Sequence, residues 1–105
     1  MVQKIYFTIV DVVANLQARG FILDFSIIGG KLYCIQEQCY LEPEEFDVLE
    51  MHCFHQFVPV SNQTDVYAIE FHSRSLKGIL LNSGGKTSKQ ASILRTKIRK
   101  FWVGN

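Results

Sequence analysis

The stretch FILDFSIIGGKLYCIQ, residues 21–36, decides the fold class. Phe21, Leu23, Phe25 and Ile27 recur at every second position, the period that lines one face of a β-strand. Gly29 and Gly30 then supply the positive backbone angles of a tight hairpin turn, and KLYCIQ (31–36) returns as the partner strand. A hairpin this clear points to antiparallel pairing. The rest of the chain is read outward from it.

Upstream, Thr8 can cap a helix running from Ile9 to Arg19. Asp11 sits at the third helical position of a capping box, Phe7 and Val12 can form a hydrophobic staple, and Gly20 supplies the left-handed stop. Ile9, Val12, Val13 and Leu16 share one face of that helix. Val12 and Leu16 are expected to cover the sheet face lined by Phe21, Leu23, Phe25 and Ile27.

Downstream, LEPEEF (41–46) carries Pro43 followed by two acids, the pattern of a single helical turn. DVLEMHCFHQFV (47–58) reads as a long strand, ended by Pro59 and the polar SNQTD (61–65). DVYAIEFH (65–72) and LKGILLN (76–82) read as two more strands around a short SRS turn. After the break SGG (83–85), KTSKQASILRTKIRKFW (86–102) has helical spacing, with Thr87 or Ser88 as cap. Ala91, Leu94, Ile98 and Phe101 fall on one arc, Trp102 lies at its edge, and basic residues fill the remainder.

The expected fold is therefore α+β: an antiparallel sheet of about five strands built from hairpins. An N-terminal helix packs on one face, and a basic amphipathic helix follows at the C-terminus. With 105 residues, the chain is expected to form a single α+β domain over 1–85 and a basic helical extension over 86–105. A hydrophobic content of 48% with 20% charge argues against disorder throughout.

Charge is divided unevenly. Residues 1–70 hold all ten acids with only Lys4, Arg19 and Lys31, a net of −7. Residues 71–105 hold eight bases and no acid, a net of +8, so the two parts are electrostatic complements. No run approaches the ~18 apolar residues that cross a bilayer. Lys4 is followed by six uncharged residues before Asp11, too few for a signal-peptide apolar region. Three cysteines, an odd number, imply no disulfide framework. Reduced thiols and a cytoplasmic location are expected.

RGFILDF (19–25), LEPEEFDVLE (41–50), SNQTDVYAIE (61–70) and LKGILLNSGG (76–85) together resemble a small family of bacterial proteins. Some of its members carry the label phosphoribosylpyrophosphate synthetase. The resemblance covers roughly residues 8–85 and lies in turns and core strands, so it implies a fold rather than a chemistry. Cys53 and His55 stand where the family pattern is more polar, and the basic tail after Gly85 is not part of that pattern. Synthetases of that kind look like tandem α/β domains with a paired-acid, glycine-rich loop. This chain has neither the loop nor the length.

Several constellations hold residue types that could carry chemistry. MHCFHQF (51–57) places Cys53 and His55 on one strand face and His52 on the other. With Cys34 and Cys39 they could make a three-cysteine, one-histidine zinc set, but the spacing lacks a chelating knuckle. The adopted reading is a strand, with no metal and no cofactor. As a nucleophile pair, Cys53 and His55 lack an orienting acid in the sequence. SGGKTS (83–88) has Leu80 where a phosphate loop needs its first glycine, leaving only generic anion binding at a helix start. Glu42, Glu44, Glu45 and Asp47 read as solvated turn residues rather than an acid–base pair.

The expected function is non-catalytic: a self-associating or protein-binding module, most simply a homodimer. Partner-binding residues are expected to be Leu94, Ile98, Phe101 and Trp102, flanked by Arg95 and Arg99. The alternative is a small nucleic-acid- or anion-binding protein acting through the same basic helix.

Overall fold

A computed structural model of the chain describes residues 8–56 and 62–83. Its helix begins where local chemistry dictates. Thr8 Oγ1 accepts the Asp11 backbone N–H at 3.1 Å, and the Asp11 carboxylate accepts the Thr8 N–H at 3.2 Å. This reciprocal cap satisfies two donors that a helix start leaves open. Helix α1 (Ile9–Ala18) follows, and Gly20, at φ 101°, turns the chain out of it. Val12 and Leu16 are fully buried, with Ile9 and Val13 partly buried beside them, as the helical spacing predicts.

Six strands follow: β1 (Leu23–Ile28), β2 (Lys31–Cys34), β3 (Cys39–Leu41), β4 (Phe46–Gln56), β5 (Asn62–Phe71) and β6 (Leu76–Ser83). They form one sheet in the order β3-β2-β1-β6-β5-β4. Four pairings are antiparallel, and the central one is parallel, with Leu23 opposite Gly78 and Phe25 opposite Leu80. The expectation of an all-antiparallel sheet of about five strands is thereby corrected to a mixed sheet of six.

Both parts of the correction have physical causes. Hairpin signals specify only strands adjacent in sequence, whereas β1 and β6 meet from opposite ends of the fold. β3, at three residues, is too short to display alternation. β5 also starts at Asn62, inside the polar run that reads as a break, because its ladder with β4 continues through polar side chains.

The parallel junction depends on Gly78. A Cβ there would stand 2.5 Å from the Leu23 carbonyl oxygen and 2.6 Å from the Phe25 ring. Only a residue without a side chain allows β1 that close.

The sheet must also curl. Six flat strands would separate the edge strands by about 24 Å, at about 4.8 Å per gap. Yet β3 ends at Leu41 and β4 begins at Phe46, joined by a single 3-10 turn at Pro43–Glu45. That chain spans at most about 19 Å fully extended, and the turn shortens it further. The sheet therefore coils until its edges approach, and its inner face encloses one core. Leu32 of β2 and Leu41 of β3 cluster there with Phe46 and Val48 of β4, and with Phe25, Tyr67 and Leu80 from the centre.

Helix α1 lies on the other, outer face. Val12 and Leu16 pack with Phe21 on Val66, Ala68 and Ile79 of β5 and β6. The expectation that α1 covers Leu23, Phe25 and Ile27 is corrected: these line the inner core. Phe21 precedes the first residue of β1, so strand alternation does not bind it to their face, and it joins the helix. The second helix expected over 86–102 lies outside the described residues.

Candidate functional site

Because α1 covers β5 and β6, the outer face of β1, β2 and β3 is left to other side chains. Inward positions on these strands are Leu23, Phe25, Leu32, Cys34 and Leu41, all buried. Alternation sends Asp24, Ser26, Ile28, Lys31, Tyr33 and Tyr40 outward. Tyr33 and Tyr40, opposite each other in register, pack edge to face with ring centroids 4.9 Å apart. Beside them Ile28 is 44% exposed, Ile35 50% and Tyr40 52%. Apolar and aromatic surface is thereby gathered on one sheet face, although Val10, Ile22 and Leu81 are exposed elsewhere.

Neighbouring polar groups hold the patch in shape. Gln36 donates to the Asp24 carboxylate at 2.7 Å and accepts the Asp24 backbone N–H at 2.8 Å. The Ile35 N–H reaches the Asp24 carbonyl at 2.9 Å. Glu37 pairs with Arg74 across the sheet bottom. The patch thus has an apolar and aromatic centre, with Asp24 and Lys31 on the same face and the Glu37–Arg74 ion pair nearby.

A second polar cluster lies on the inner face, beyond the apolar core. Cys53, Asp65 and Asn82 occupy one cross-strand row on β4, β5 and β6. Asp65 and Asn82 are buried, Cys53 is exposed, and the Tyr67 hydroxyl donates to Asp65 at 3.2 Å. Burial raises the Tyr67 phenol well above the ordinary tyrosine value, helped by the charge of Asp65 and the hydrogen bond to it. The Asn82 amide nitrogen is buried without a hydrogen-bond partner. Sequence reasoning did not find this row, because Asp65 and Asn82 read there only as the first and last residues of two separate strands; only the β4–β5–β6 register brings them together with Cys53.

The remaining constellations take their places around these two. Cys34 and Cys39 face each other across β2 and β3, whereas Cys53 lies on β4 at the other edge of the sheet order. All three are free thiols. Burial, and then the neighbouring Cys34, raise the Cys39 thiol. Among the described residues no group of three or more His, Cys, Asp or Glu could hold a metal ion. The residue opposite Cys53 is the acid Asp65, whereas a nucleophilic thiolate needs positive charge beside it.

Of the acidic run, Glu45 accepts the Glu42 backbone N–H at 2.7 Å, and Asp47 meets the His72 ring at 2.6 Å. Leu80, where a phosphate loop needs glycine, is buried in the core of β6. β6 does have a parallel neighbour in β1, but Leu80 still stands where that loop needs a glycine. On the helix side, Glu50 pairs with both Arg19 and His52, tying the end of α1 to β4.

The expected partner-binding residues Leu94, Arg95, Ile98, Arg99, Phe101 and Trp102 lie outside the described residues. Among the described residues no helix is long and apolar enough to cross a membrane.

Fold and patch together define an α+β protein with a mixed, coiled six-stranded sheet, one half of whose outer face is left uncovered among the described residues. No protein-family model, curated protein or solved structure matches the chain. No relative therefore supplies a residue role.

Proposed function

We propose that the chain is a non-catalytic, self-associating module that works as a homodimer. The observation that carries this reading is the uncovered apolar and aromatic patch on the outer face of β1–β3. Burial of apolar surface is the dominant favourable contribution in most protein–protein association, set against the ordering costs of binding. The charge layout supports it. The described residues hold all ten acids and four bases, a net of −6, while residues 84–105 hold six bases and no acid. Opposite fields of this size steer encounter and suppress wrong partners.

Nucleic-acid binding through the basic tail is the competing reading. An acidic body works against it, since a phosphate backbone is repelled by the same charge that attracts the tail. Native mass spectrometry separates the two. Leu94→Asp with Ile98→Asp is expected to release monomer, and Arg95→Ala with Arg99→Ala is expected to keep the dimer. Loss of association in the arginine pair alone would replace this reading with the electrostatic one.

A further inference from the structure

We infer that Cys34 and Cys39 form a reversible disulfide site, closed by thiol–disulfide exchange with a low-molecular-weight disulfide of the glutathione type. The bond does not depend on the self-association reading. The two thiols stand directly opposite each other in the β2–β3 ladder, as the last pair before the turn of residues 35–38. Residues paired in register point to the same sheet face, and here Cys34 lies in the inner core with Cys39 packed against it. Opposite residues of an antiparallel pair have Cα atoms about 4.5–5.5 Å apart, within the roughly 4.4–6.8 Å that a disulfide spans. Their Cβ atoms start about 4.5–5.5 Å apart and a disulfide holds them near about 3.8 Å, so a closure of roughly 1 Å is needed. β3 can supply it, being only three residues long and lying at the end of the strand order with β2 as its neighbour. Cys53, the third thiol, pairs in register with Asp65 instead.

Exposure sets the order of events. Cys39 is partly exposed and Cys34 fully buried, so a small disulfide meets Cys39 first. The Cys39 thiolate attacks one sulfur of glutathione disulfide, whose S–S bond breaks, and one glutathione leaves as its thiolate. Cys34 then gives up its proton, and its sulfur attacks Cys39 Sγ in the mixed disulfide, expelling the second glutathione thiolate. Two protein thiols are thereby oxidised to one disulfide, and one glutathione disulfide is reduced to two thiols that take up the two protons released. The second step needs no entry of a further reagent, because the attacking sulfur already stands in register with its target. Burial, and then Cys34, raise the Cys39 thiol, so the first step is slow at neutral pH and quickens as pH rises.

The test uses full-length chain with Cys53→Ser, which removes the exposed thiol and keeps both partners. The folded chain is treated with glutathione disulfide at mildly alkaline pH, quenched in acid and read by intact mass spectrometry. The expected product is lighter than the dithiol by two hydrogens, is restored by dithiothreitol, and has a thermal midpoint above that of the reduced chain. Adding Cys34→Ser is expected to stop the reaction with one glutathione on Cys39, and Cys34→Ala repeats that arm in case serine disturbs the core. A Cys53→Ser chain that stays dithiol, or that stops with one glutathione bound, would overturn the site. A disulfide that lowers the thermal midpoint would overturn it as well, because the folded geometry would then oppose the bond.

Discussion

Tyr67 shows how one residue ties stability to pH. Its phenol is held protonated by burial and by Asp65, so its folded value lies above the unfolded one. Stability from this group is complete below the ordinary tyrosine value of 10.0 and is lost as pH rises beyond it. Tyr67 is expected to ionise late in a phenolate absorbance titration, together with unfolding, and Tyr67→Phe should remove that late step. A titration without a late step would contradict this. The thiols should separate as well: under native alkylation, exposed Cys53 reacts before Cys39, whose thiol is raised, and buried Cys34 reacts last. Peptide mapping of the alkylated cysteines checks the order. At this scale the sequence was informative for caps and turns, where the chemistry is local. Thr8, Asp11, Gly20 and the Gly29–Gly30 turn all stand where their types require. It was silent on the Cys53–Asp65–Asn82 row, since nothing local relates residues on three different strands.

Among the elements, period was a better guide than partner. Alternation located five of the six strands, and helical spacing picked Val12 and Leu16, yet neither said which sheet face the helix would choose. That choice follows from Val66, Ala68 and Ile79, which offer α1 a shallow apolar bed on β5 and β6. The other face was already needed inside the coil. Leu16→Ala should therefore cost about 2–5 kcal/mol, because the side chain is fully buried in that bed. A urea midpoint matching the parent would show that the bed does not depend on it. Gly78→Ala tests the parallel junction directly. The added methyl meets backbone rather than a yielding side chain, so a loss of about 1–3 kcal/mol is expected. An unchanged thermal midpoint would mean that β1 and β6 pair more loosely than described.

For the molecule as a whole, charge partition and topology converge on one surface. Among the described residues the acidic body leaves half of its outer sheet face bare, and the basic residues 84–105 follow β6 in sequence. The partition was visible in the sequence from the first count, but the bare half was not. It exists because the helix sits over β5 and β6 and because β1 lies beside β6, both long-range outcomes. The account stands or falls on whether this surface joins two chains. Sedimentation equilibrium of the full chain beside Tyr33→Asp with Tyr40→Asp measures that most directly. The parent is expected at twice the 12.1 kDa chain mass, and the variant, with charge placed in the centre of the patch, at the mass of one chain. A parent that stays at one chain mass across the concentration range, or a variant that dimerises as tightly as the parent, would contradict it.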